Sequence, residues 1–88
     1  MSSTRGFWID VEHLRLTVEP EEDHWQVFAY DRIARLVRYR SRRATLHGAK
    51  VAAIQFALTH IGDPEKGYDA EEIAENLNWK AIGKGAVQ

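Results

Sequence analysis

The stretch TLHGAKVAAIQFALTHI, residues 45–61, is the most strongly patterned segment of this 88-residue chain. On a helical wheel its apolar residues cover more than half of the circumference. Thr45 opens the segment as a hydroxyl N-cap, and Gly62 follows it as a C-terminal cap. So broad an apolar arc predicts a helix that packs onto a sheet and contacts a further element as well.

The residues that precede this helix have the composition of β-strands. Residues 7–18 alternate apolar and polar side chains, but the phase changes near Glu12 and His13, which predicts either a β-bulge or two short strands. Residues 24–30 are aromatic and β-branched and predict the next strand. Residues 32–41 predict a third strand, in which both faces mix apolar side chains with arginines. The same residues also fit an extension of the helix toward the N-terminus.

A second helix is predicted after the turn at residues 63–68. Asp69 fits an N-cap, and Glu72 completes a capping box with it. Trp79 does not share a face with the apolar residues of this helix. That apolar stripe is formed by Ala70, Ile73, Ala74, Leu77 and Ala81.

These elements together predict one α+β domain over residues 7–82. Its expected architecture is a three-stranded antiparallel sheet in the order β-β-β-α-α, with two helices packed on one face. Residues 1–6 and 83–88 are predicted to be flexible ends.

Composition narrows the functional class. The chain has no cysteine, which excludes disulfides, thiolate zinc sites and cysteine nucleophiles. No segment approaches the roughly 20 apolar residues of a membrane span, and the start MSSTRGFWID lacks the apolar core of a signal peptide. We therefore expect a cytoplasmic protein with no membrane contact.

Catalytic motifs are not visible in the sequence. The four histidines have no metal-ligand spacing, and no set of nucleophile, base and orienting residue can be assembled. His60 falls inside the apolar arc of the first helix and is predicted to pack there. The expectation is a non-enzymatic protein that uses no cofactor and no metal.

Positive charge is concentrated in residues 32–50, which hold six arginines, one lysine and no acid. The flanking segments are acidic, with net charges of −5 for residues 1–31 and −3 for residues 51–88, so the whole chain carries −1. This basic segment suggests binding to nucleic-acid phosphates, with Tyr39 and Trp25 adding stacking surface if they are exposed. The candidate phosphate-binding residues are Arg35, Arg38, Arg40, Arg42, Arg43 and Lys50.

Two alternatives to this hypothesis stay open. The arginines are also explained by ion pairs with Asp10, Glu12 or Glu19 across the sheet. The second alternative is a protein-interaction or regulatory module, such as a homodimer, in which Trp79 contacts the partner. The position of Trp79 off the apolar stripe of its helix motivates that choice.

The run TLHGAK, residues 45–50, followed by spaced alanines, resembles the C-terminal β-β-β-α part of double-stranded RNA-binding domains. The resemblance covers about residues 24–58. It implies a sheet followed by a helix that carries small residues toward the strands, and duplex RNA as a partner. Small domains that place a sheet in the major groove of DNA have a similar element order, so duplex DNA is the other expected partner.

The chain departs from that family in two places. Leu46 and His47 stand where the family has paired phosphate-binding lysines, which would move the contact to Arg42 and Arg43. No counterpart of the family's first helix precedes Phe7. Both departures bear on RNA recognition more than on the fold.

Overall fold

The computed structural model describes residues 6–62 and 70–82. The predicted flexible ends, apart from Gly6, and the predicted N-cap Asp69 lie outside these residues. The strands are β1 (Phe7–Val11), β2 (Leu14–Pro20), β3 (Trp25–Asp31), β4 (Leu36–Arg43) and β5 (Lys80–Ala81). The helices are α1 (Leu46–His60) and α2 (Ala70–Asn76).

The α+β class is confirmed, but the sheet is larger than predicted. Within the described residues it has five antiparallel strands, four of them long, in the order β4-β3-β2-β1-β5. The prediction of three strands was wrong at two places. Residues 7–18 hold two strands, and β5 pairs its two residues with Phe7 and Trp8, a contact too short to leave a sequence pattern.

The phase change near Glu12 marks a hairpin turn, which confirms the alternative of two short strands. Glu12 adopts a positive φ of 57°, which lets the chain reverse between Val11 and Leu14. The register pairs Ile9 with Leu16, so the apolar residues of β1 and β2 share one face even though their parities differ. The reversal itself therefore produces the change of phase.

The prediction of a strand over residues 32–41 was misplaced by about four residues. Residues 32–35 form the turn between β3 and β4, in which Arg35 has a φ of 63°. The register shifts between Ala29 and Tyr30, so Arg38 is an extra residue on β4. This bulge explains why apolar side chains and arginines occur at both parities of the sequence.

Asp31 holds this turn together. Its Oδ1 accepts hydrogen bonds from the backbone N–H groups of Ile33 at 3.0 Å and Ala34 at 2.9 Å. Its Oδ2 accepts from Nε of Arg38 at 3.1 Å. The Ala34 N–H is the main cause that lowers the pKa of Asp31 below its usual 3.8, and Arg38 lowers it further against the effect of burial.

We predict that Asp31→Asn lowers the melting temperature at pH 7 but not in strong acid. A carboxylate whose folded pKa is depressed stabilises the fold above its unfolded pKa, and that stabilisation is lost as the pH falls through the folded pKa. Asparagine keeps the shape without the charge, so parent and variant should converge once the pH has fallen through the lowered pKa of Asp31. Thermal unfolding followed by circular dichroism across this range measures the difference, and a gap that does not depend on pH would contradict it.

Helix α1 covers one face of the sheet, as its apolar arc predicted. Thr45 is the N-cap, and its Oγ1 accepts from the backbone N–H of Gly48 at 3.0 Å. The small side chains of the helix let its backbone approach the strands closely. The core is formed by Leu14, Leu16, Val18, Val27 and Ala29 from the sheet, Ala49, Ala53, Ile54, Ala57 and Leu58 from α1, and Ala70 and Ala74 from α2.

Helix α2 is shorter than its apolar stripe suggested. It ends at Asn76, and Ala81 lies in β5 and not on the helix. Trp79 follows the helix, so its position relative to the helical stripe has no structural meaning. Ala70 and Ala74 of α2 are buried in the common core beside α1, so both helices pack on the same side of the sheet.

Candidate nucleic-acid interface

The face of the sheet opposite the helices carries a row of aromatic and cationic side chains. We call it the open face, because no described helix covers it. Side chains alternate along each strand, so the register places one residue of each strand in a row across the sheet. The central row of the open face is Trp8, Thr17, Phe28 and Arg40. The row on one side of it is Asp10, Arg15, Tyr30 and Val37. The row on the other side is Glu19, Gln26 and Arg42.

Three cations of the open face stack on its aromatic rings. The guanidinium carbon of Arg15 lies 4.3 Å from the ring centroid of Trp8, and the ammonium of Lys80 lies 5.0 Å from it. The guanidinium carbon of Arg40 lies 5.4 Å from the centroid of Phe28. These contacts are cation–π interactions, and both partners offer flat surfaces of the kind on which nucleobases stack.

The carboxylate of Asp10 pairs with arginines on one side of the open face. Asp10 accepts from Nε of Arg15 at 2.8 Å and from its Nη2 at 3.1 Å, and Nη1 of Arg32 lies 3.8 Å away. The hydrogen bond from Arg15 is the main cause that lowers the pKa of Asp10 below its usual value. Glu12 contributes its backbone carbonyl to Arg32. Of the pairing expected between the basic segment and the N-terminal acids, the contact of Arg32 with Asp10 is therefore present on this side, and no described contact uses the carboxylate of Glu12 or Glu19.

The other side of the open face is different. Arg40 and Arg42 are exposed, and among the ion pairs of residues 6–62 and 70–82 neither has a carboxylate within 4.0 Å. They alternate on β4, so both side chains stand on the open face. Glu19 lies two strands away, since Gln26 separates it from Arg42 in the register. Asp23 in the β2–β3 turn is a described acid with an effect on this positive corner of the sheet, because its pKa is lowered mainly by the hydrogen bond with His24 and also by the charge of Arg42. Arg42 is therefore close enough to Asp23 to act on it, but neither arginine forms a direct ion pair among the described residues.

Arg43 lies at the end of β4 on the helix side. Its Nη1 donates to Oγ of Ser41 and to the carbonyl of Arg42 at 2.6 Å. Arg43 lies beside the first turn of α1. A Cβ atom placed on Gly48, which belongs to that turn, would lie 3.6 Å from Cβ of Arg43. Arg43 continues the positive corner around the end of the strand.

The other three residues of the predicted cluster lie elsewhere. Arg38 is bound to Asp31. Arg35 lies in the turn at the opposite end of β4 from Arg42, a separation of roughly 20 Å for an extended chain. Lys50 lies beyond β1, with its ammonium 5.0 Å from the ring centroid of Phe7 and 5.5 Å from that of Trp79. The structure therefore joins Arg40, Arg42 and Arg43 but not the full set of six.

The aromatic residues that the sequence suggested as stacking surface do not lie on the open face. Tyr39 stacks on Phe56 of α1 at 4.7 Å between centroids, and Trp25 packs against the core, so neither lies on the open face. Trp8 and Phe28 are the aromatic residues of the central row, and neither is among the predicted site residues. The signal that would have found them is their parity, because each alternates with the core-facing residues of its own strand.

Trp79 is half-buried in the described structure. It packs against the core, and its Nε1 donates to the carbonyl of Ala74 at 3.0 Å. The indole thus has an intramolecular partner and a cation above its ring. These contacts explain its position without a partner protein, whose binding at Trp79 stays a prediction.

No protein-family model, curated protein or solved structure matches the chain. The resemblance to double-stranded RNA-binding domains therefore remains a prediction. Neither described helix is both long and apolar enough to cross a bilayer.

Proposed function

We propose that the chain binds single-stranded nucleic acid on the open face. Arg40 and Arg42 contact backbone phosphates, and Phe28 and Trp8 provide stacking surface for the bases. The observation that carries this proposal is the stacking of Arg40 on Phe28 at a corner where no described acid pairs with the arginine. A phosphate-binding cation beside a half-buried aromatic ring on an uncovered sheet face is a combination that suits single-strand binding.

The open face favours a single strand over the duplex expected from the sequence. In a duplex the bases stack on one another, so a flat aromatic surface gains nothing from their faces. In a single strand the bases are free to lie on Phe28 and Trp8 in place of the stacked cations. Those cations then move to the phosphates, and the same residues serve both contacts.

A second explanation of the arginines is the protection of an edge strand. β4 ends the sheet, and charged side chains and a bulge on such a strand prevent it from pairing with another chain. This explanation accounts for the charge of β4 but not for the aromatic rings of Phe28 and Trp8 on the open face. Charge-reversal variants separate the two roles, since glutamate also protects an edge but repels phosphate.

Binding of labelled oligouridine, followed by fluorescence anisotropy at several salt concentrations, tests the proposal. Neutralisation of two or three phosphates predicts a slope of log K against log salt of about −1.4 to −2.1 for a single strand. A matched duplex should bind more weakly. Absence of binding at low salt, or tighter binding to the duplex, would contradict the proposal.

A protein partner is the second candidate function. The tip of the β3–β4 hairpin exposes three apolar side chains, Ile33 at 79%, Leu36 at 43% and Val37 at 44%. Val37 stands on the open face opposite Tyr30, which is also exposed, and neighbouring exposed apolar groups of this kind favour a protein contact. Sedimentation equilibrium tests self-association, because a dimer that uses this tip should dissociate in an Ile33→Ser variant.

A further inference from the structure

Three side chains from separate elements converge at the end of the domain that holds the β1–β2 turn. They are His13 in that turn, Asp31 at the end of β3 and His60 in the last turn of α1. One ligand atom from each residue lies within 4.8 Å of the others. This set is independent of the open face and of the proposed function.

Asp31 is fixed in an orientation that suits a ligand. Its side chain is 95% buried, and Oδ1 is held by the two backbone N–H groups of the turn. Oδ2 then points toward Nε2 of His13, 3.7 Å away. Two ligand atoms that each lie about 2.1 Å from a tetrahedral cation are about 3.4 Å apart. Oδ2 of Asp31 and Nε2 of His13 therefore need almost no movement to bind the same cation.

His60 supplies the third ligand, which is the second imidazole nitrogen of the set. Its ring centroid lies 5.4 Å from that of His13 and 5.4 Å from that of Phe56, on which it stacks. His60 is exposed, which differs from the packed position predicted for it, so the solvent side of its ring leaves room for a small movement. Its ligand atom lies within 4.8 Å of the other two, so a shift of up to about 1.4 Å brings it to the separation of about 3.4 Å that a shared tetrahedral cation requires.

We infer that His13, Asp31 and His60 form a binding site for a divalent transition metal of the zinc class. Two imidazole nitrogens and one carboxylate oxygen are a donor set that zinc prefers, and a fourth position is left for water. Arg38 donates to the same Oδ2, which resembles the hydrogen bond that a metal-bound carboxylate usually receives from a neighbour. Its positive charge also weakens the site by repulsion.

The sequence could not show this site. Its ligands come from a turn, a strand end and a helix end that are far apart along the chain, so no short spacing motif contains two of them. Only the packing of α1 across β2 and β3 brings them together. A bound metal would link these three elements and stabilise the fold by mass action.

Zinc titration of the EDTA-treated chain by isothermal calorimetry tests the inference. We expect one saturable site and a rise in melting temperature with zinc. His60→Gln should weaken binding at least tenfold, and it carries little folding risk because His60 is exposed. His47→Gln is the matched control, since His47 is an exposed histidine in the first turn of the same helix, paired with Glu75. Its affinity should equal that of the parent.

Two further measurements sharpen the result. Arg38→Gln should tighten zinc binding several-fold, because it removes the cation beside Oδ2. Cobalt(II) should give the intense visible absorption of tetrahedral coordination in the parent and lose it in His60→Gln. Absence of saturable zinc binding, an unchanged affinity in His60→Gln, or an equal loss in His47→Gln would overturn the inference.

Discussion

The double variant Arg40→Glu/Arg42→Glu is expected to lose single-stranded nucleic-acid binding by about a hundredfold or more while the fold stays intact. Each charge-assisted contact to phosphate is worth roughly 1.5 kcal/mol, so the loss of two amounts to about that factor even before repulsion is added. Both side chains are exposed, and no ion pair in the described part of the chain uses them. Fluorescence anisotropy with oligouridine at low salt measures the effect.

Neutral substitutions provide a control that is matched in charge. Arg40→Gln/Arg42→Gln and Arg35→Gln/Lys50→Gln each remove two positive charges, but only the first pair lies at the positive corner of the open face. The first variant loses the same two charge-assisted contacts without the added repulsion, so it should bind about a hundredfold more weakly, and the second should bind nearly as the parent does. Equal losses would mean that total charge, and not this corner, governs binding.

The charge reversal also separates binding from edge protection. Glutamate side chains keep β4 charged, so the variant should remain a monomer in sedimentation experiments. A variant that binds nucleic acid normally but aggregates would assign the arginines to edge protection alone.

Leu16→Ala is expected to lower the free energy of unfolding by about 3 kcal/mol. Leu16 has no exposed surface, and its neighbours in the register are Ile9 on β1 and Ala29 on β3. The strands around this position are held by backbone hydrogen bonds, so they cannot close the cavity left by the missing methyl groups. For a small domain this cost is a large fraction of the total stability.

Urea unfolding measures this loss as a lower midpoint with an unchanged slope. Thr17→Ala is the matched control, because Thr17 is the next residue of β2 and stands on the open face. It should cost less than about 1 kcal/mol. Similar costs at the two positions would contradict the assignment of the two faces of the sheet.

Helix α1 was predictable from sequence because its signals agree with one another. The apolar arc, the hydroxyl of Thr45 and the glycine at position 62 all indicate the same boundaries, and the structure has them within one residue. The strands were less predictable at the two places where one residue changes the phase of the apolar–polar alternation. A turn at Glu12 and a bulge at Arg38 both shift the alternation by one, and the period alone does not distinguish them.

The candidate site depends on those same single residues. The basic segment identified Arg40, Arg42 and Arg43, but sequence position alone grouped them with Lys50, which lies across the sheet beside Phe7. The stacking of Arg15 on Trp8 was not predictable before the β1–β2 hairpin was known. Strand β5, which brings Lys80 to Trp8, depends on a tertiary contact that two residues do not encode.

The most direct test of single-strand binding on the open face is an NMR titration of the ¹⁵N-labelled chain with short oligouridine, at about 50 and 200 mM salt. Binding on the open face predicts shifts of the Trp8 indole N–H and of the backbone amides of Phe28, Arg40 and Arg42, and these shifts should shrink at the higher salt. The indole signals of Trp25 and Trp79 should stay in place. No shifts at low salt, or shifts confined to the exposed side of α1, would contradict the account.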